Sequence, residues 1–157
     1  MTGGAPTKTF PTIVWATDGS APSLAARRFV REICEADDSA LYVVHIAPVL
    51  ATATDEGRIA ALKAVTSSLR RHDINASLHV VRGAFGSPAG HIADVARMVD
   101  ADLLILATRG RSPLAGAVAG SVSERLLASA PCPVLVLSPA AVAATAPVHR
   151  ALRQPAA

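Results

Sequence analysis

Apolar residues along the chain form five short runs, each followed by a polar or glycine-containing turn. These runs predict strands over residues 13–17, 41–46, 76–81, 103–107 and 131–137. Between them, helical spacing and capping residues predict four helices. The first begins at Ser20 or Ser23 and ends near Ala36, and the other three cover 58–71, 87–99 and 121–128. Strands that are apolar on both faces and alternate with helices are typical of a parallel sheet covered on both sides. The pattern predicts one doubly wound α/β domain with a five-stranded parallel sheet.

The two ends of the chain lack this alternation. Residues 1–10 are expected to form a flexible N-terminus, and residues 139–157, which are rich in alanine and proline, a flexible C-terminal tail. The predicted domain therefore spans residues 11–138.

Composition and charge narrow the class of protein. Of the 157 residues, 51% are hydrophobic but only 3% are aromatic, so the core is expected to be aliphatic. The longest apolar runs are strand-sized, well below the ~18–20 residues of a membrane span. The first residues lack the cationic region and the apolar region of a secretory signal, so no such signal is expected there. The two cysteines, Cys34 and Cys132, are expected to be buried small side chains in a reducing compartment.

The net charge of +3 comes mostly from scattered arginines, and few aromatic residues are present to stack on bases. A solvated basic surface explains this pattern better than a nucleic-acid-binding surface does.

The segment between the fourth strand and the last helix has the features of a phosphate-binding loop. It begins Ala107-Thr108-Arg109-Gly110 and, after nine residues, continues Gly120-Ser121-Val122-Ser123-Glu124. Glycines let the main chain approach a ligand closely, and the free N–H groups at a helix start attract anions. Arg109 has two interpretations, neutralisation of phosphate charge or simple solvation. The pattern Ser121-x-x-Glu124 also fits a capping box.

Asp18 follows the first strand and is the second candidate. In sheets of this class, ligands bind beyond the carboxyl ends of the strands, where the strand order reverses. If the order is 3-2-1-4-5, the first and fourth strands are neighbours, and Asp18 faces the glycine loop across one crevice. A carboxylate there suits ribose hydroxyls, a base amine, or an outer position around Mg²⁺. The alternative is that Asp18 and Ser121 only cap turns and helices.

Motifs for competing activities are absent from the sequence. It contains neither a P-loop motif nor a dinucleotide fingerprint after the first strand, and it lacks the serine elbow of a hydrolase. No paired carboxylates, nucleophile–base couple or metal-ligand spacing emerges. The sequence therefore favours a binding protein over a catalyst, with slow turnover at most. His45 and Trp15 are expected to be packed core residues, and turn and capping duties explain the glycine-rich segment 83–90.

Together these motifs resemble the universal stress protein family over residues 11–138, in its nucleotide-binding subgroup. The matching segments are 14–20 (VWATDGS), 43–46 (VVHI), 108–112 (TRGRS), 120–125 (GSVSER) and 130–136 (APCPVLV). The subgroup carries Gly-x-x-Gly, nine residues, and then Gly-Ser or Gly-Thr. Gly110, Gly120 and Ser121 match in register, whereas Ala107 occupies the position of the first glycine. If that position needs a positive φ, the β-carbon costs on the order of 1 kcal/mol. If it needs only room, the methyl group is either tolerated or favours a smaller nucleotide such as AMP or a cyclic form.

The resemblance implies the strand order 3-2-1-4-5, a cytoplasmic location, a role in stress response, and homodimers paired through the fifth strand. It also implies an adenine nucleotide, with ATP, alone or with Mg²⁺, expected ahead of AMP or cyclic AMP. Asp18 would lie near the ribose and adenine, the Ile46 backbone near adenine, and the loop around the phosphates. A family member that binds no nucleotide and acts as a dimeric protein-interaction module is the alternative. The implied nucleotide-binding residues are Asp18, Ile46, Ala107, Arg109, Gly110, Gly120, Ser121, Val122 and Ser123.

Overall fold

A computed structural model of the chain describes residues 7–83, 86–107 and 121–143. Five parallel strands form one sheet in the order β3-β2-β1-β4-β5. The strands are β1 (Thr12–Ala16), β2 (Ala40–Pro48), β3 (Asn75–Gly83), β4 (Leu103–Ala107) and β5 (Val134–Leu137). The predicted fold class and strand order are confirmed.

Helices cover both faces of this sheet. They are α1 (Ala21–Leu24), α2 (Arg27–Asp37), α3 (Ala53–Arg70), α4 (Pro88–Met98), α5 (Ser121–Ser129) and α6 (Pro139–Ala143). None of the described helices is long and apolar enough to cross a membrane.

Alternation along β1 divides the buried side chains into two clusters. Ile13 and Trp15 belong to the first core cluster, which includes α2 and α3 side chains such as Val30 and Leu62. Val14 and Ala16 point the other way, into the second core cluster, which α4 and α5 cover. Right-handed crossovers require this arrangement, because the chain moves from β1 to β3 in one direction and returns to β4 and β5 in the other. The direction changes between β1 and β4, in the middle of the sheet.

Two predicted helix boundaries are wrong. The first predicted helix is divided into α1 and α2, because the Ala26 N–H bonds to the Ser23 carbonyl three residues earlier and tightens the chain there. Helix α3 begins at Ala53 rather than Arg58. A capping box starts it: the Thr52 hydroxyl accepts from the Asp55 N–H, and the Asp55 carboxylate accepts from the Thr52 N–H.

Ordered structure extends beyond the predicted limits of 11–138 at both ends. Near the N-terminus, the Thr9 N–H donates to Asp37 Oδ1 at 2.8 Å, and Phe10 packs against the first core cluster. At the other end, Pro139–Ala143 form α6 instead of an unstructured start to the tail, because Val142 packs against the same cluster. Residues 1–6 and 144–157 lie outside the described residues.

Candidate functional site

Three residues predicted from the sequence meet at the carboxyl edge where the strand order reverses. Ala16, the last residue of β1, lies opposite Val44 of β2 and Leu106 of β4. Asp18 and Ile46 each lie two residues further along, and Ala107 lies one residue further. These positions lie on or just after neighbouring strands, and neighbouring strands in a sheet are about 4.8 Å apart.

Asp18 is half-buried in the turn between β1 and α1. Its Oδ1 accepts hydrogen bonds from the Ser20 N–H at 3.0 Å and from the Ser20 hydroxyl at 2.6 Å. Gly19 adopts φ +71°, which allows the tight turn. The capping interaction considered for Asp18 is therefore present, and it also orients the carboxylate at the edge of the sheet.

A buried hydrogen-bond network supports this turn from below. The Thr17 N–H donates to the Val44 carbonyl, and His45 Nδ1 lies 3.0 Å from the Thr17 carbonyl oxygen. Because a carbonyl only accepts, Nδ1 carries the proton in this contact. The Thr17 hydroxyl also bonds to the Ser23 hydroxyl and accepts from the Gly19 N–H. The prediction that His45 is a packed, hydrogen-bonded core residue is confirmed, since it is only 3% exposed.

The backbone of Ile46 points toward the same edge. In a parallel pair, alternate residues of a strand direct their N–H and C=O groups to the same neighbour. The Val44 carbonyl accepts from Thr17, so the peptide groups of Ile46 also point to the β1 side. The register of β1 and β2 ends at Ala16 and Val44. Ile46 thus presents one donor and one acceptor beyond the end of β1, beside Asp18.

Ala107 ends β4, where it pairs with Leu137 of β5. Its methyl group packs against the first core cluster, on the α2 and α3 side of the sheet. Among the described residues other than glycine, positive φ angles occur only at Asp38, Asp73 and Asp100. The backbone at Ala107 therefore carries no left-handed penalty, and the β-carbon points away from the face that α5 covers.

The first turn of α5 consists of Ser121, Val122 and Ser123. Ser121 is exposed, Ser123 is buried, and Val122 packs against the second core cluster. Helix α5 ends at Ser129, shortly before β5 begins, so its start lies toward the carboxyl ends of the strands. The N–H groups in the first turn of a helix have no partner within the helix, and the positive end of the helix dipole lies there. Helix α5 therefore presents free N–H groups and partial positive charge at this edge. Arg109, Gly110 and Gly120, the other predicted loop residues, lie outside the described residues.

A cavity that the sequence analysis did not predict opens at the ends of β2 and β3. Its volume is about 240 Å³, and it is lined by Ile46, Ala47, Pro48, Gly83, Gly86, Pro88 and His91. The segment 83–90 was explained by turn and capping duties, and the Ser87 hydroxyl does accept from the Gly90 N–H at 3.1 Å. Gly83, Gly86 and Pro88 of this segment also line the cavity. The available signal was a histidine that follows three closely spaced glycines, Gly83, Gly86 and Gly90.

The described residues contain no group of three or more His, Cys, Asp or Glu side chains suited to hold a metal ion. Cys34 is buried, and burial raises the pKa of its thiol to about 12. Cys132 is half-buried, and burial raises the pKa of that thiol as well. The expectation of a buried side chain is confirmed for Cys34, while Cys132 lies nearer the surface.

Comparisons with known proteins agree with this architecture. The model of the universal stress protein family matches residues 9–138. A universal stress protein of Methanocaldococcus jannaschii is 31% identical in an alignment 140 residues long that covers 80% of each chain. A universal stress protein crystallised in complex with cAMP is 24% identical, with a TM-score of 0.65 over 83% of this chain and 98% of the other. The universal stress protein of Archaeoglobus fulgidus in complex with dAMP is 22% identical, with a TM-score of 0.62 over 83% and 98%. On its family match, its relative and its strand order, the chain belongs to the universal stress protein family.

Proposed function

We propose that this protein binds an adenine nucleotide at the carboxyl edge of β1, β2 and β4 and acts as a regulatory protein in stress response. ATP is the expected ligand. The observation that carries the proposal is the convergence at this edge of the Ile46 peptide, the Asp18 carboxylate and the first turn of α5. These groups differ in chemistry, and each suits a different part of one nucleotide.

The Ile46 peptide suits the base. Its N–H and C=O groups offer one donor and one acceptor side by side, and the edge of adenine presents a ring nitrogen acceptor beside an amine donor. The base would therefore form two hydrogen bonds to the backbone, with no demand on the side chain.

Asp18 suits the ribose. Hydroxyl groups donate well to a carboxylate, whereas a carboxylate placed against a phosphate would repel it. The first turn of α5 suits the phosphates, because its N–H groups and dipole favour negative charge. Mg²⁺ would be held by the phosphates and water, with Asp18 as an outer partner. That arrangement fits the way Mg²⁺ binds to one or two carboxylates together with substrate phosphates.

The complexes of related folds with cAMP and dAMP support an adenine nucleotide, since both ligands carry that base. The structure around Ala107 supports a full-sized nucleotide. Its methyl group packs into the first core cluster, so it does not narrow the side of the sheet on which α5 lies. The alanine at position 107, where the family subgroup has glycine, is therefore compatible with ATP binding.

Thermal unfolding with ATP, ADP, AMP and cyclic AMP, with and without Mg²⁺, tests the proposal. A nucleotide at a hundredfold its Kd should add about 2.7 kcal/mol, which is roughly 5–10 °C for a domain of this size. Asp18→Ala should weaken the ATP shift, and Gly120→Val should abolish it. Asp94→Ala removes an exposed carboxylate on α4 and serves as the matched control. No shift with any nucleotide at millimolar concentration would overturn the proposal.

A second role, as a dimeric interaction module, is favoured by the edge of the sheet at β5. Three residues of that strand, Val134, Leu135 and Val136, are partly exposed, and an apolar edge strand invites pairing with a second chain. We infer a homodimer paired through β5, in the cytoplasm, where the two free thiols would stay reduced. Light scattering on Val136→Lys tests the dimer: a wild-type dimer should become a monomer. The thermal unfolding experiment then distinguishes the two roles, because the interaction module should show no shift with any nucleotide.

A further inference from the structure

We propose that His45 is a positioning residue of the nucleotide site: its Nδ1–H fixes the turn that carries Asp18, and so sets how strongly the protein prefers a ligand with ribose hydroxyls. This inference rests on the proposed nucleotide-binding function and adds a residue to the recognition of the ribose. His45 itself does not contact the ligand, and it acts through the backbone of Thr17.

The His45 side chain lies under the turn between β1 and α1, on the side of the sheet that α2 and α3 cover. Along β2, Leu41 and Val43 belong to the first core cluster, and His45 continues their alternation. The turn and α3 are in close contact here, because a β-carbon at Gly19 would lie 2.9 Å from Arg58 Cβ. The histidine is only 3% exposed, so packing restricts its movement.

The hydrogen bond of His45 reaches the residue directly before Asp18. His45 Nδ1 lies 3.0 Å from the Thr17 carbonyl oxygen, which belongs to the peptide group that joins Thr17 to Asp18. A peptide group is planar, so a bond to its carbonyl oxygen also fixes the Asp18 nitrogen in the same plane. The orientation of this peptide group therefore sets the direction in which the Asp18 side chain leaves the backbone.

Further hydrogen bonds hold the rest of the turn. The Thr17 hydroxyl accepts from the Gly19 N–H at 3.2 Å, and Asp18 Oδ1 accepts from the Ser20 hydroxyl at 2.6 Å. These bonds lie beyond the peptide group that His45 contacts. Removal of the His45 bond should therefore let this peptide group tilt while the turn itself stays closed.

The contact with Thr17 explains a polar ring at a position where packing alone would favour an aliphatic side chain. His45 Nε2 is buried and forms no hydrogen bond within the described residues. An unpaired buried nitrogen costs free energy. The bond from Nδ1 is the contribution that an aliphatic side chain could not make.

A fixed carboxylate suits the ribose better than a mobile one. Ribose offers two neighbouring hydroxyl groups that can donate to one carboxylate. A carboxylate that is already oriented loses less conformational entropy when it binds them. Loss of the His45 bond should therefore weaken the binding of ligands that have these hydroxyls and leave ligands without them nearly unaffected.

The test compares ATP with 2′,3′-dideoxy-ATP, which lacks both ribose hydroxyls. Calorimetric titration measures both Kd values for the wild type, His45→Asn and His45→Gln. The amide nitrogen of asparagine lies near the position of Nδ1, whereas that of glutamine lies near the position of Nε2. The two variants are thus matched in chemistry and differ in whether they can donate to the Thr17 carbonyl.

The wild type should bind ATP about tenfold more tightly than the dideoxy form, because hydrogen bonds to a charged group are strong. His45→Asn should keep this preference, and His45→Gln should reduce it to about twofold or less. The Kd of inorganic triphosphate should be the same in all three proteins, because the phosphates bind at α5. A variant that failed to fold would lose triphosphate binding as well.

A double-mutant cycle separates positioning from a general structural effect. If His45 acts through Asp18, His45→Gln should leave the Kd of ATP unchanged in the Asp18→Ala background, because the carboxylate that it positions is gone. Additive effects of the two substitutions would overturn the proposal.

A ¹⁵N spectrum of the wild type covers the case in which the His45 variants fold poorly. In mildly alkaline solution the ring should carry its proton on Nδ1, and this proton should exchange slowly with water. A proton on Nε2 instead would overturn the proposal. If ATP binds without a preference over the dideoxy form, or if His45→Gln keeps that preference, the role of His45 is wrong and nucleotide binding stands. If the wild type binds neither ligand, both proposals fail together.

Discussion

Replacing Gly19 by alanine should destabilise the protein strongly, because this glycine lies where the Asp18 turn meets α3. A β-carbon at Gly19 would lie 2.9 Å from the Cβ of Arg58, 3.3 Å from the Arg58 carbonyl oxygen and 3.3 Å from the Cδ1 of Leu62. The positions of the Arg58 Cβ and carbonyl oxygen are fixed by the backbone of α3, so side-chain rotation cannot relieve the contact. Relief requires movement of the turn or of α3.

Two costs add up at this position. An L-residue in the left-handed region, which Gly19 occupies with φ +71°, costs roughly 1–2 kcal/mol. Overpacking against a fixed neighbour costs a further ~1–3 kcal/mol. The expected loss of about 2–5 kcal/mol is a large part of the ~5–15 kcal/mol that stabilises a typical domain.

Urea unfolding measures this loss, with fluorescence of the single tryptophan, the fully buried Trp15, as the probe. Gly57→Ala is the matched control, since it makes the same change inside α3 at a position with no heavy atom within 4 Å of the new methyl group. It should stabilise the protein by about 0.5–1 kcal/mol, because alanine is the better helix former. A loss below about 1 kcal/mol in Gly19→Ala would refute the close approach of α3 to the turn.

Three further predictions concern the site and its surroundings. Ala107→Gly should leave the Kd of ATP, measured by calorimetry, within about twofold of the wild-type value. It should lower the free energy of unfolding by about 0.5–1 kcal/mol, because glycine weakens a strand. A large gain in affinity would show that the methyl group obstructs the site. Thr52→Ala should cost about 0.5–2 kcal/mol in urea unfolding through loss of the helix cap. Hydrogen bonds from Thr52 lower the pKa of Asp55. Their contribution to the free energy of unfolding is therefore present at neutral pH and is lost as the pH falls below about 4. Between pH 5 and 3, Thr52→Ala should consequently lose less stability than the wild type. Cys34, whose pKa is raised to about 12, should react with iodoacetamide at pH 8 only as fast as the protein opens, and rapid alkylation under native conditions would contradict its burial.

The sequence was sufficient for the sheet and insufficient for contacts between distant segments. Strand β4 was predicted to the residue because a continuous apolar run is bounded by polar residues on both sides. The division between α1 and α2 was missed because it accompanies the contact of Ser23 with Thr17, which only the folded chain brings together. The start of α3 was missed because its capping box uses aspartate at the third position in place of the more usual glutamate.

The candidate site also has a part that could be predicted from the sequence and a part that could not. Asp18 and Ile46 could be placed near one edge of the sheet from the sequence, because Asp18 follows β1 and Ile46 lies near the end of β2, and parallel strands bring such positions together. The cavity around His91 could not, because it depends on the end of β2, the end of β3 and the first turn of α4 at once. No spacing along the chain encodes the fit of an imidazole against Gly83 and Gly86.

The strand order also explains why one ligand can use contacts that are so far apart in the sequence. The Ile46 peptide, proposed to bind the base, lies near the end of β2, and the proposed anion site lies beyond β4, with β1 between them. Two strand spacings separate β2 from β4, about 10 Å, which is comparable to the span of a nucleotide from its base to its phosphates. A ligand that crosses this gap must pass the end of β1, where Asp18 is held by Ser20. Asp18 lies between the base and phosphate ends, so substitutions at Asp18 and Ser121 should change the free energy of ATP binding non-additively.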